Sequence, residues 1–144
     1  MEFDKTTQDA LKLIHEGNHI IFREVGRVCE KYHLNYFLDR GNLIGAVGAK
    51  SDFPWDDAAA IAMTRKDFEV FRKVARTELK DGFVYVEPDE LNGAFYDFVP
   101  RVVMLDSTMR ENNAEQKYYG NGIHNHMRTD IFIVDDVSDN MLKH

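Results

Sequence analysis

Acidic residues beside a predicted strand and a glycine turn are the part of this sequence best suited to chemistry. Asp56 precedes an apolar run at residues 58–63 that is typical of a buried strand. Side chains spaced by two along a strand point to the same side, so carboxylates placed in this way can share a magnesium ion. Arg40, Gly41 and Asn42 form a predicted turn, where the glycine lets a backbone approach phosphate oxygens without a Cβ in the way. The pattern therefore favours a site that binds phosphate with the help of a metal.

Each of these residues also has a simpler interpretation. Asp56 either ligates a weakly held metal or caps the loop, and Gly41 with Asn42 either touches a phosphate or forms a plain tight turn. Arg40 and Lys50 are candidates for anion contact, although charged loop residues are usually just solvated. The residues alone leave these alternatives open.

Two amphipathic helices must position the site. Residues 6–32 predict one long helix, because their apolar side chains fall on a single stripe. Residues 65–79 predict a second helix, which begins after Thr64. The Thr64 side chain can cap that helix together with Asp67, three residues later.

The remaining segments predict strands and loops. Strands are predicted at residues 33–38, 58–63, 83–87, 94–98, 102–105 and 124–134. Residues 43–47 can begin a helix, whereas residues 48–54 and 107–120 read as loops. The mixture predicts one α+β domain over residues 1–144, with a small mixed sheet, flanking helices and a long N-terminal helix.

The composition speaks against several classes of function. A net charge of −7 argues against a sequence-independent nucleic-acid binder, which needs a basic face. The sequence shows no apolar run long enough for a membrane span and no signal-peptide pattern at its N-terminus. The single cysteine, Cys29, cannot form an internal disulfide, which favours a reduced, cytoplasmic setting.

The run from residue 36 to residue 61 resembles a known family. The motifs that carry the resemblance are YFLDRGNLIGAV at residues 36–47, FPWDD at residues 53–57 and MTRKDF at residues 63–68. They resemble the LicD family of phosphotransferases, whose members include phosphocholine and pentitol-phosphate transferases acting on glycans. Residues 129–137 are similar to a later strand of that family, so the resemblance covers most of the chain.

This resemblance implies a nucleotidyltransferase-type fold and a magnesium-dependent reaction. The reaction would transfer a phosphorylated small group from a cytidine-diphosphate (CDP) linked donor to a sugar hydroxyl of a glycan. The resemblance implies that Asp130 holds the metal and acts in catalysis, with a surface carboxylate at a strand end as the alternative. Strand periodicity puts Asp56 on the side of positions 58 and 60, which makes it a second candidate for metal binding and catalysis. The substrate-binding residues that the resemblance implies are Gly41, Asn42, Arg40 and Lys50.

This chain differs from the family at positions that the family's reaction would use. The resemblance puts metal-holding acids at positions 58 and 60, where this chain has alanine. Without them, magnesium binding is expected to be weak or absent, and transfer to be crippled or lost. Small residues also stand at Gly48, Ala49 and Ala59. Two interpretations stay open: an inactivated transferase, or a pseudoenzyme or engineered scaffold that binds a ligand in the emptied pocket.

A histidine pair gives a further pattern near the last predicted strand. His124 and His126 share strand parity with Asp130. Two imidazoles and a carboxylate on one face are able to hold zinc or another transition metal. The alternative is two partly exposed histidines beside the pocket, and the sequence does not decide between them.

Overall fold

The computed structural model describes residues 5–52, 55–88, 98–107 and 126–136. Helices and short strands follow one another along the chain. The helices are α1 (Lys5–Tyr32), α2 (Arg40–Ile44) and α3 (Arg65–Glu78), and a π-helical turn (Gly45–Ala49) follows α2 directly. The strands are β1 (Phe37–Leu38), β2 (Ala60–Thr64), β3 (Phe83–Val86), β4 (Arg101–Met104) and β5 (Met127–Val134).

The described strands form a five-stranded mixed sheet in the order β1-β2-β5-β4-β3. β2 and β5 run parallel to each other, whereas the pairs β1–β2, β4–β5 and β3–β4 are antiparallel. The predicted α+β class is therefore confirmed, including the mixed sheet, the flanking helices and the long N-terminal helix.

The main core lies between one face of the sheet and the helices α1 and α3. Its fully buried apolar side chains include Ile21, Val25, Val28, Ile61, Met63, Phe71, Val102 and Ile131. A smaller cluster, formed by Val86, Val103 and Val84, is separate from it. Because side chains alternate along a strand, Asp130 lies on the sheet face opposite to Ile131, away from this main core.

Helix α1 confirms the helix predicted for residues 6–32 and continues through both of its glycines. It ends where His33 takes a left-handed φ of 54°. The strand predicted at residues 33–38 is reduced to Phe37–Leu38, because the helix termination occupies the residues after Tyr32. No helix among the described residues is long and apolar enough to cross a membrane.

The largest correction concerns residues 40–49. Arg40, Gly41 and Asn42 lie in helix α2, so the turn predicted at residues 40–42 is wrong. Arg40, the first of these residues, has a left-handed φ of 52°. The helix predicted to begin at residues 43–47 is present, but it continues as a π-helical turn to Ala49, within the segment predicted as a loop.

Strand β2 and helix α3 confirm the prediction for the centre of the chain, with a shift at the start. β2 begins at Ala60 and not at residue 58. The Thr64 side chain accepts a hydrogen bond from the Asp67 N–H at 3.3 Å and donates one to the Asp67 carboxylate at 2.9 Å. This cap is the one that the sequence predicts.

The other predicted strands agree with the structure to within a few residues where they are described. β3 and β4 correspond to the strands predicted at residues 83–87 and 102–105. The strand predicted at residues 94–98 lies outside the described residues except for Phe98, which is not in a strand. The last strand begins at Met127, and His124 lies outside the described residues.

Polar contacts fasten the second half of α1 to the end of α3. Glu24 is 5% exposed, and its carboxylate accepts hydrogen bonds from Arg27 at 2.6 and 3.1 Å and from the Lys80 N–H at 2.9 Å. Arg27 also donates to the Glu78 carbonyl at 2.5 Å. Lys31 and Tyr32 both donate to the Glu78 carboxylate. These contacts hold the two helices in a fixed relation under the sheet.

Candidate functional site

The parallel pair β2–β5 brings Asp130 beside the alanine run. Asp130 is the register partner of Ala60, and its N–H donates to the Ala59 carbonyl at 2.9 Å. Register partners on neighbouring strands put their side chains on the same face of a sheet. An acid at position 60 would therefore face Asp130, whereas the alanine present there leaves that carboxylate without an acidic neighbour on β2.

Two arginines approach the Asp130 carboxylate. Arg101 is its register partner on β4, is 1% exposed, and brings Nε within 3.1 Å of Oδ1. This contact is an ion pair whose angle lies outside hydrogen-bond geometry. Arg128 brings its Nε within 3.8 Å of the same oxygen. The charge of Asp130 is thus offset by guanidinium groups of this chain.

Arg101 is a site residue that the sequence interpretation missed. The signal was present, since an arginine next to Pro100 begins a run of valines that reads as a buried strand. A charged side chain in such a strand is rarely buried unless a partner of opposite charge is close by. What the sequence did not reveal was which carboxylate that partner would be.

A small cavity of about 100 Å³ opens beside Asp130. It is lined by Ile14, Asn18, Asp57, Ala58, Ala59, Met127, Arg128 and Asp130. Asp57 and Asp130 bring negative charge and Arg128 brings positive charge, so the charges of the lining are mixed. The cavity lies at the start of β2 and β5, and Ala58 and Ala59 form part of its wall.

Asp56 lies before β2, so strand alternation does not determine its direction. Its Oδ1 accepts a hydrogen bond from the Ala58 N–H at 3.1 Å, in the manner of a residue that caps a loop. The other carboxylate oxygen lies against the Cα of Gly41, where a Cβ would overlap it and come within 2.6 Å of Cγ. Gly41 does not have a left-handed φ. Glycine is needed there because a Cβ would collide with the Asp56 carboxylate.

Replacing Gly41 with alanine is expected to lower the free energy of unfolding by about 1–2 kcal/mol, since the new Cβ must displace the Asp56 carboxylate. Chemical denaturation, followed by the fluorescence of the single tryptophan Trp55, measures the change. Gly48→Ala is the matched control, because a Cβ at Gly48 meets no heavy atom within 4 Å. The double variant Gly41→Ala with Asp56→Ala should recover most of the loss. Equal effects of the two alanine substitutions would contradict this contact.

Asn42 and Arg40 have structural partners in the sheet. The Asn42 Oδ1 accepts a hydrogen bond from the Ala60 N–H at 2.8 Å, which ties α2 to the first residue of β2. The Arg40 guanidinium stacks on the ring of Phe132, 4.1 Å from its centre. Phe132 shares strand parity with Asp130, so Arg40 lies on the same sheet face as that carboxylate.

A larger groove of about 510 Å³ lies between α1 and the segment that contains α2 and the π-helical turn. Its lining residues are His19, Phe22, Leu38, Asn42, Ala46, Lys50, Ser51 and Asp52. Two of the residues predicted to bind substrate, Asn42 and Lys50, thus line one groove. Asp130 lines the smaller cavity instead.

Two histidines of α1 hold the segment that leads from this groove to β2. His19 Nε2 lies 2.9 Å from the Asp52 carboxylate, and His15 Nε2 lies 2.8 Å from the Asp56 carbonyl oxygen. The sequence interpretation did not single out this pair. Its spacing of four residues on a predicted helix, which puts both rings on one face, was a readable signal.

The metal site considered for the histidines near β5 stays a prediction, because His124 lies outside the described residues. His126 lies before β5, and its Nδ1 is hydrogen-bonded to the Ser107 carbonyl oxygen. Within residues 5–52, 55–88, 98–107 and 126–136, no three histidine, cysteine or acidic side chains are arranged to hold a metal ion. Cys29 is fully buried, and this burial raises the pKa of its thiol to about 12, which makes it unreactive at neutral pH.

Comparison with known proteins gives a partial similarity. No model of a known protein family matches the chain. Over 44 residues it is 41% identical to the lipopolysaccharide cholinephosphotransferase LicD of Haemophilus influenzae. The matched segment covers 31% of this chain and 17% of that protein. The chain is therefore similar, over about a third of its length, to a protein of the LicD phosphotransferase family.

Proposed function

We propose that this chain is a LicD-like domain that binds a CDP-linked donor and has lost metal-dependent transfer of the donor's phosphorylated group to a sugar hydroxyl. The observation that carries the proposal is the register of Ala60 with Asp130 on adjacent parallel strands. Acids at positions 58 and 60 would lie at the Asp130 end of this pair. The partial similarity to a cholinephosphotransferase supports the reaction class.

The residues around Asp130 do not fit a magnesium ion. Magnesium favours oxygen ligands with near-octahedral geometry and is commonly held by one or two carboxylates. Here alanine stands at positions 58 and 60, and the Asp130 carboxylate lies 3.1 Å from the buried guanidinium of Arg101. A second cation at the same oxygen would be repelled by that guanidinium. We therefore derive no reaction step through a metal at this site.

The loss of transfer follows from the loss of charge stabilisation. Phosphoryl transfer depends on positioning and on groups that stabilise negative charge in the transition state. A metal that fulfils this role contributes several kcal/mol, which corresponds to orders of magnitude in rate. Binding of the donor does not require the same carboxylates, since Asn42 and Lys50 line a separate groove.

Titration calorimetry with CDP, in excess EDTA and in excess magnesium, tests this function. We expect binding whose affinity magnesium changes by less than about twofold, because the expected metal carboxylates are missing. In parallel, the chain should release no cytidine monophosphate from CDP-choline above the uncatalysed rate. Absence of CDP binding in both conditions would contradict the proposed donor, and magnesium-dependent release would contradict the loss of transfer.

A further inference from the structure

The groove between α1 and α2 has the size and lining of a small-molecule site. Its volume of about 510 Å³ lies within the range of about 300–1,000 Å³ that is usual for ligand pockets. Phe22 and Leu38 give it an apolar wall, and Asn42, Lys50 and Ser51 give it polar groups. A few polar groups set among apolar side chains are typical of sites that recognise an organic ligand.

One wall of this groove has an unusual backbone. The segment Gly45–Ala49 is a π-helical turn, a rare conformation that occurs often at functional sites. It ends at Lys50, whose φ of 53° is left-handed although lysine has a Cβ. Such conformations are unfavourable by about 1–3 kcal/mol and cluster at ligand-binding positions. Ala46 and Lys50, from this segment, both line the groove.

The polar lining offers hydrogen-bond donors and a positive charge. Because Asn42 Oδ1 already accepts from the Ala60 N–H, the side chain has its NH₂ group left to donate. Lys50 brings the positive charge of its ammonium group to the lining. The Asp52 carboxylate, which also lines the groove, lies 2.9 Å from His19 Nε2. A matching ligand presents acceptor atoms, a phosphate and a flat ring that can lie against Phe22.

We propose that this groove binds the nucleoside monophosphate half of the donor, with the ring against Phe22 and the phosphate at Lys50. The proposal rests on the proposed function for the choice of cytidine, and it locates the nucleotide away from Asp130. Because the contacts come from side chains of the groove, binding needs no metal ion.

Titration of the full chain with cytidine 5′-monophosphate in EDTA tests the location. Ala46→Phe fills the groove and is expected to weaken binding at least about tenfold. Val47→Phe is the matched control, because Val47 is the next residue of the same turn and is 74% exposed. Unchanged affinity in the control, with loss in Ala46→Phe, supports the site. No binding by the unaltered chain, or equal effects of the two substitutions, would overturn it.

Lys50→Gln tests the position of the phosphate. It is expected to weaken binding of cytidine 5′-monophosphate about tenfold and to leave binding of cytidine unchanged, because only the phosphate meets the ammonium. An equal loss for both ligands, or no loss for either, would overturn the phosphate assignment. The outcomes are separable from those of the proposed function. Magnesium-dependent release of cytidine monophosphate from CDP-choline would refute only the proposed loss of transfer. Binding of CDP with unchanged affinity in Ala46→Phe would refute only the proposed location in the groove.

Discussion

Replacing Arg101 with methionine is expected to lower the free energy of unfolding by about 3–5 kcal/mol. Arg101 is 1% exposed, and its Nε lies 3.1 Å from the Asp130 carboxylate. Methionine has a similar volume but no charge, so the substitution removes the guanidinium that lies 3.1 Å from Asp130 while keeping most of the packing. Removing Arg101 leaves this partly buried carboxylate with less positive charge beside it, which is strongly unfavourable. Equilibrium denaturation measures the loss.

Two further variants separate the charge pair from general damage. Arg128→Met removes the more distant and more exposed arginine, so its effect is expected to stay below about 1 kcal/mol. The double variant Arg101→Met with Asp130→Leu removes both charges and is expected to be more stable than Arg101→Met alone. A double variant as unstable as the sum of its single changes would show that the pair is not what Arg101 stabilises.

Glu24→Gln is expected to lower the free energy of unfolding by about 2–3 kcal/mol at neutral pH. The buried carboxylate accepts from the Arg27 guanidinium and from the Lys80 N–H, and an amide can satisfy only part of this set. The matched control is Glu69→Gln. Glu69 also faces an arginine three residues away, but it is 40% exposed and its closest contact is 3.4 Å. Its loss should be below about 0.5 kcal/mol.

The same carboxylate gives a pH dependence with a defined sign. Burial alone would raise the pKa of Glu24, but the hydrogen bonds from Arg27 and Lys80 outweigh it and hold the pKa below its ordinary value. Because the pKa of Glu24 is lower in the folded state than in the unfolded state, its carboxylate stabilises the fold at pH values above its unfolded pKa. This contribution disappears as the pH falls through the pKa of the folded state. Unfolding midpoints measured from pH 7 down to about pH 3 should therefore converge for Glu24→Gln and the unaltered chain. A constant difference between them across this range would contradict the role of Glu24.

Much of the fold follows from patterns that act locally. The apolar stripe of α1 and the Thr64 cap of α3 depend on residues close in sequence, and both are confirmed. The turn predicted at residues 40–42 is wrong for a physical reason. Glycine and asparagine together are typical of a turn, but here Gly41 is needed because Asp56, fifteen positions later, packs against its Cα. A contact between distant residues leaves no mark in the local pattern.

The candidate site was less accessible to prediction for the same reason. The sequence interpretation chose Asp130, and the register of β5 brings it beside Ala60. Arg101 comes from β4, and its pairing with Asp130 depends on strand order, which no local pattern encodes. The sequence predicts that Asn42 and Lys50 bind substrate from a turn and a loop. In the structure both residues line one groove, which lies between α1 and the segment with the π-helical turn. The metal and catalytic roles of Asp130 and Asp56 stay predictions. So do the substrate contacts of Gly41, Asn42, Arg40 and Lys50.

We propose that a metal site of the LicD type would lie where Ala58 and Ala60 stand beside Asp130. The double variant Ala58→Asp with Ala60→Asp tests it, with Ala58→Asn and Ala60→Asn together as the control of equal size without charge. A buried acid at position 60 will repel Asp130, so the variant should be less stable in EDTA, and magnesium should raise its unfolding midpoint.

The decisive measurement is calorimetric titration of magnesium into each protein in the presence of CDP. We expect magnesium to bind the aspartate variant with a dissociation constant of about 1 mM or tighter, and not to bind the asparagine variant or the unaltered chain at that concentration. Three results would contradict it. They are a folded aspartate variant that binds no magnesium, a variant whose lost stability magnesium does not restore, and equal binding by the asparagine control.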